Sequence, residues 1–471
     1  MSEQVARHLA SQREAILDRL LALIRLPSVS TDPAFEHGMR GAREFLLERL
    51  RALSLQDVRL LDAPEMPRGG QPAVYGAWLG AGPDKPTIMI YGHYDVQPAD
   101  PMELWHSPPF EPTIRDGRIY ARGASDVKGS TTIAIETVGA FLAVEGGCPV
   151  NVKLFLEGEE EVGSPSLPAL IEANRELLAA DAMLSADGGG ASGPQAMLNI
   201  GCRGITSLRF SLRTAKKDAH SGKVGGALRN ALHEMARLIA TLHDEHGRVV
   251  VEGFEAGAPP MTNALRAEAA TLPFDEAAWY ALYDATPFGD PAYTVRERTT
   301  LRPTVEVNGM WGGYTGEGGK TVTPAEAHAK LTMRLIPGQD PEGAQAAVKA
   351  HLERHAPAGV ALEFDYTPGG TRAYTLGSDH PLRAAATAVL RREKGGEPAL
   401  TRLGGTVPIT TIFQEMLGMD SLMFGLSSAD EDAHAPNEFF RLSSFDEGLR
   451  LWPLLLTELG RMDRAAFRRE G

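Results

Sequence analysis

Four glutamates, Glu157, Glu159, Glu160 and Glu161, crowd the segment LFLEGEEEVGS at 154–164, directly after an apolar run. Carboxylates at that density repel one another and raise each other's proton affinity, so a chain that gathers them needs a cation among them. The plainer alternative is a solvated acidic turn. Other segments repeat the form of an apolar run closed by polar groups. His93 lies near the end of TIMIYGHYD (87–95), with Asp95 two residues on, where a carboxylate can fix the tautomer of the imidazole and raise its basicity. Asp126 stands in GRIYARGASDVKGS ahead of a helix, where the ordinary role of an aspartate is an N-cap. Asp187 lies in AMLSADGGG (182–190), and His434 in SLMFGLSSADEDAHAPNE. Two histidines and several carboxylates suit a divalent ion, with Zn2+ favoured by the imidazoles and Mn2+ or Co2+ as alternatives. Two ions sharing Asp126 as a bridge would polarise a scissile carbonyl and lower the pKa of a trapped water toward about 7, leaving a spare carboxylate to act as general base. One glutamate of the acidic run then binds metal and its neighbour takes the proton.

Other chemistries fit less well. The order Lys128-Gly129-Ser130 is not that of a phosphate-binding loop, and Ser125 does not sit in a Gly-x-Ser-x-Gly elbow.

These residues need a scaffold that brings them together. Strand and helix alternation predicts an α/β fold, a mainly parallel sheet covered by helices on both faces. TTIAIETVGAFLAV (131–144) has helical spacing, whereas VNVKLFLEGEEE (150–161) reads as a buried strand running into the acidic turn. Ligands of open α/β sheets bind at the carboxyl ends of the strands, which is where His93, Glu160, Glu161, Asp187 and His434 would meet. Between these blocks, GITSLRFSLRT, AHAKLTMRLIP, VALEFDYT and two helices near 225–243 and 341–355 read as a smaller inserted α+β unit. The expected division is 1–203 and 375–471 for the catalytic domain and 204–374 for the insert.

The chain has 471 residues, 43% hydrophobic and 23% charged, which suits more than one globular core. Its net charge of −14 without a basic stripe argues against nucleic acid or an anionic membrane surface as partner. The N-terminal segment has helical charge alternation rather than the pattern of a signal peptide, and no run is expected to approach the length of a membrane span. Cys148 and Cys202 are too few for a disulfide framework, so the expected location is the cytoplasm.

In order, GHYDVQP, GASDVKG, EGEEEVGS, SADG, DAHSGKVGG and DAHAPNE closely resemble the motifs of the co-catalytic metallopeptidases. That family includes carnosinases, cytosolic non-specific dipeptidases, carboxypeptidase G, acetylornithine deacetylase and succinyl-diaminopimelate desuccinylase. WHSPPFEPTIRDGRIYARG, NGMWGGYTGEGGKTVTPAEAHAKLTMRLIP and LGGTVPITTIFQEMLG are similar to the dipeptidase branch in particular. The resemblance implies a ferredoxin-like lid and dimerisation insert, a homodimer, and two metal ions per subunit. It implies His93 and Asp187 on one ion, Glu161 and His434 on the other, Asp126 between them, Glu160 as general base and Asp95 orienting His93. It implies that His220 reaches across a dimer to the oxyanion, and that Arg334, Thr321, Gly405 and Thr406 contact a peptide with a free C-terminal carboxylate. One departure is Pro368-Gly369-Gly370, where some carnosinase-like members carry a histidine before two glycines, so side-chain preference does not carry over. Two alternatives stand beside peptide hydrolysis: N-acyl amino acid deacylation with the same metals, and an inactive binding protein on the same scaffold.

Overall fold

The apolar runs that lead into acidic or histidine residues form neighbouring parallel strands in the computed structural model, which describes residues 2–67, 70–192 and 195–468. The chain divides into two compact units, one of residues 1–200, 376–401 and 408–471, the other of residues 201–375 and 402–407.

In the first unit, Asn151–Glu157, Thr87–His93, Ala182–Ser185 and Ser421–Met423 lie side by side in that order, all parallel. All but Thr87 of these residues are buried, as strands covered on both faces must be. The register sets His93 opposite Glu157, and Tyr91 and Met423 opposite Ser185. The chain therefore leaves all four strands at one rim.

The sheet departs from the expected mainly parallel pattern outside this centre. Asp57–Leu61 and Ala73–Trp78 extend it antiparallel on one side, and Met197–Cys202 pairs antiparallel with Ser421–Met423 on the other. Parallel neighbours need crossover connections such as the helix Gly129–Glu145 between Thr87–His93 and Asn151–Glu157, whereas antiparallel neighbours can be joined by loops.

Gly129–Glu145 also corrects the expectation about membrane-length runs. With the turn before it, the stretch Ala124–Glu145 spans 22 residues and is long and apolar enough to cross a membrane, yet 83% of its most apolar window is buried inside the fold. It packs against the helices Ser2–Ser11 and Leu442–Leu459, and a core helix covered all round is apolar all round.

The second unit has the β-α-β-β-α-β order of a split βαβ fold. Its four-stranded antiparallel sheet runs Thr304–Gly312, Glu326–Leu335, Gly204–Arg213, Ala361–Asp365. Burial alternates along the two central strands, so one face carries the apolar core with the helices Ala231–Ala240 and Pro341–His355 and the other is polar. An excursion from residue 241 to 303 adds three short helices, Asn263–Ala269, Glu276–Leu282 and Val295–Thr300, for which the sequence reading gave no expectation.

Candidate active site

His93 is the last residue of its strand and is buried, with Nδ1 at 3.0 Å from the backbone carbonyl of Asp95. The Asp95 carboxylate, expected to be the orienting partner, lies farther, at 3.5 Å. It accepts hydrogen bonds from the backbone N–H groups of Glu160 at 3.3 Å and Glu161 at 3.1 Å and from the Ser30 hydroxyl at 2.7 Å. Asp95 thus ties the histidine loop to the acidic turn.

Asp126 belongs to a loop that sequence reasoning did not explain. Glu438, fully buried, accepts from the backbone N–H groups of Gly123, Ser125 and Asp126 at 2.9, 2.8 and 3.0 Å. Arg122, also buried, pairs with the same carboxylate at 2.8 Å, and the Ser125 hydroxyl donates to Glu431 at 2.6 Å. The signal was present in the glutamate closing DAHAPNE, but nothing local connects residue 438 to residue 126.

With its backbone held, Asp126 turns one oxygen to each histidine. His93 Nε2 lies 3.2 Å from Oδ1 and His434 Nε2 lies 2.9 Å from Oδ2. His434 Nε2 is also 3.2 Å from Glu161 Oε2, which accepts a hydrogen bond from Gln97 at 2.8 Å. Ligand atoms of His93, Asp126 and Glu161 all lie within 4.8 Å of one another. His434 has φ 64, a left-handed conformation uncommon outside glycine. Asp187 follows the buried strand Ala182–Ser185, and its charge is felt by Glu160.

The electrostatics are those of too many carboxylates in too little water. Burial pulls His93 toward its neutral form, but hydrogen bonds to Asp126 and Asp95 and the charge of Glu160 hold its proton affinity well above the usual imidazole range. His434, bonded to Asp126 and Glu161, is pushed up to about 10. Burial raises Asp126, and its bonds to His434 and His93 override this and hold it well below the usual carboxylate range. Glu160 is raised well above that range, first by burial and then, against the pull of His93, by Asp187, Glu161 and Asp126. Burial and the charge of Asp126 carry Asp187 to about 6. The histidines take up protons because the carboxylates demand positive charge, and a divalent ion meets the same demand by displacing those protons. The set of imidazole nitrogens and carboxylate oxygens fits such an ion.

In the second unit, Arg334 Nη1 donates to the Thr406 hydroxyl at 2.9 Å, and the Gly405 carbonyl accepts from the backbone N–H of Arg203 at 3.1 Å. His220 is exposed, its Nδ1 accepting from the Gly222 N–H at 3.0 Å. Thr321 is exposed beside it, its carbonyl accepting from the Ser221 N–H at 3.1 Å.

The sequence profile described as Peptidase family M20/M25/M40 matches residues 89–458. The Cys-Gly metallodipeptidase of Saccharomyces cerevisiae is 28% identical over 465 residues, covering 95% of both chains. The Beta-Ala-His dipeptidase of Homo sapiens is 27% identical, covering 98% of this chain and 93% of its own. Among solved structures, an M20 family metallo-carboxypeptidase from Sulfolobus solfataricus superposes with a TM-score of 0.79 at 30% identity, covering 95% of this chain and 99% of that one.

Proposed function

The chain belongs to peptidase family M20/M25/M40, and from that premise we propose that it hydrolyses the amide bond of dipeptides or short peptides that carry a free C-terminal carboxylate. The observation that carries this reading is Asp126 facing His93 and His434 with its two oxygens, beside a Glu160 whose proton affinity is raised. His93 and Asp187 would hold one divalent ion and Glu161 and His434 a second, with Asp126 between them and Zn2+ favoured over Mn2+ or Co2+ by the two imidazoles. Bound there, such ions supply Lewis acidity to the scissile carbonyl and lower the pKa of a water.

The remaining work falls to the chain. Glu160 takes the proton of the attacking water and delivers it to the departing amine, a role that needs a carboxylate with raised proton affinity. Arg334 pairs the substrate's terminal carboxylate through its forked donors while the Thr406 hydroxyl holds the guanidinium, and Gly405 and Thr321 add backbone and side-chain contacts. His220, contributed by a second copy of this chain in a homodimer, donates to the developing oxyanion. Both relatives are dipeptidases by name, which favours peptides over N-acyl amino acids as substrates.

The test is a panel of dipeptides and of N-acetyl and N-succinyl amino acids, each assayed with Zn2+, Mn2+ and Co2+ and after chelation. Dipeptides should be cleaved only with metal. Efficient deacylation with inert dipeptides would replace this reading by a deacylase.

A further inference from the structure

The second unit carries an open cavity of about 590 Å3 between the start of its sheet and the excursion at 241–303, a volume in the range of small-molecule sites. Five arginines and three carboxylates line it, a local surplus of positive charge in a chain whose net charge is −14. The pairing is uneven. Arg248 is bound to Asp290 and Arg302 to Glu255, while Glu306 is exposed. Among the described residues, the Arg203 guanidinium meets only carbonyls, donating from Nε to Gly404 at 2.8 Å and from Nη1 to Arg302 at 3.2 Å. The Arg334 guanidinium donates, among the described residues, only to the Thr406 hydroxyl. Ile205, two residues past Arg203, pairs with Arg334 across the sheet, so the two guanidiniums belong to one corner of the cavity. Burial and then the charge of Arg334 push Arg203 down to about 10, so Arg203 stays charged at neutral pH. Glu306 acts on Arg203 through its charge but forms no described ion pair with either guanidinium, so the carboxylate of a ligand can complete both.

Aromatic rings form another part of the lining. Trp279 packs edge-on against Tyr280 and Tyr283 with ring centroids 5.0 and 5.1 Å apart, and the Tyr280 hydroxyl donates to the Phe288 carbonyl at 3.0 Å. Tyr283 and Phe288 are 65% and 67% exposed, a large apolar surface to leave in water without a ligand. A cavity of this size also exceeds what a small side chain fills.

We propose that this cavity recognises the C-terminal residue of the substrate, with Arg203 joining Arg334 on its carboxylate and Trp279, Tyr280, Tyr283 and Phe288 receiving an aromatic side chain. The proposal rests on the peptidase reading and deepens it, making the substrates short peptides that end in Trp, Phe or Tyr. Two measurements test it separately from that reading. In turnover, kcat/KM for Ala-Trp and Ala-Phe should exceed that for Ala-Gly by about tenfold or more, and Trp279→Ala should collapse that ratio while Trp279→Phe preserves most of it. In binding, calorimetry on the full-length Glu160→Gln protein uses N-acetyl-tryptophan, its amide and N-acetylglycine. The first should bind about tenfold or more tightly than the other two, and Arg203→Met should weaken it by a similar factor. Equal affinity for N-acetylglycine and N-acetyl-tryptophan, or an Arg203→Met protein that folds and binds as the parent does, overturns the proposal. Selective binding without hydrolysis of any dipeptide would sink the peptidase reading and leave the cavity's selectivity standing.

Discussion

Glu160 and Glu161 are adjacent, and Asp95 accepts a hydrogen bond from the backbone N–H of each, yet their side chains meet different surroundings. Glu161 touches His434 and accepts from Gln97, positively polarised partners that suit an oxygen donating to a metal. Glu160 is half-buried, and its desolvation together with the charges of Asp187, Glu161 and Asp126 raises its proton affinity well above the usual carboxylate range. A general base is useful only if it accepts the proton of water, so the environment separates the two proposed roles where the residue types do not. Glu160→Gln keeps the shape and removes the proton acceptor. That variant should bind Zn2+ as the parent does and lose about 10²–10⁴ in kcat, because a positioned base contributes that much. Metal titration followed by single-turnover assays checks it, and near-parental turnover with normal metal content would show that another group takes the proton.

At the scale of elements, the loop at 122–126 is held from a segment about three hundred residues away. Glu438 precedes the strand Phe439–Arg441, which pairs with Arg118–Tyr120, so one small sheet fixes both the loop carrying Asp126 and the turn carrying His434. Glu438→Gln removes the charge that balances Arg122 and weakens the hold on three backbone N–H groups, while leaving every proposed metal ligand in place. Partners that orient ligands typically matter by about 10–100-fold in metal affinity, and a loss of that size is expected here. Competition with a chromophoric chelator measures it. An unchanged affinity in a folded variant would mean that Asp126 is held by other contacts.

The parallel strands and the residues at their ends were legible because apolar runs followed by carboxylates or histidine are local patterns. The Glu438 clamp was not, because its partners are backbone groups distant in sequence. The segment at 402–407, expected within the catalytic domain, clusters with the second unit, where Arg334 bonds Thr406 and Arg203 bonds Gly404, contacts that no composition shift announces. The excursion at 241–303 is polar and loop-like in sequence, and its short helices are capped by Thr262, Asp275 and Thr294 rather than driven by long apolar stripes.

At the scale of the whole molecule, the strand Thr304–Gly312 is an edge, paired among the described residues only with Glu326–Leu335, and it exposes Val307, Met310 and Trp311 by 40%, 47% and 42%. An edge with unpaired backbone groups and exposed apolar side chains is a template for another chain, and in the proposed homodimer the same edge of a second copy would pair with it about a two-fold axis. The proposed role of His220 gives such a dimer a chemical reason. His220 is the exposed residue of the two-residue strand Ala219–His220, its Nδ1 engaged by Gly222 and its other ring nitrogen available to donate when the ring is neutral. An oxyanion donor is typically worth about 10²–10³ in rate, so His220→Ala should be as crippled as a lost donor while keeping its metal. Glu160→Gln is inactive for a different reason. When the two inactive proteins are mixed and allowed to exchange subunits, the heterodimer contains one site with Glu160 from one chain and His220 from the other, provided that His220 acts across the dimer. Activity should then rise toward half of the parental value per heterodimer as exchange proceeds, with sedimentation analysis following the dimer and mass-tagged chains following exchange. Exchange that is complete without any recovery of activity would place His220 in the service of its own chain, and a monomer at assay concentration would remove the dimer from the mechanism altogether.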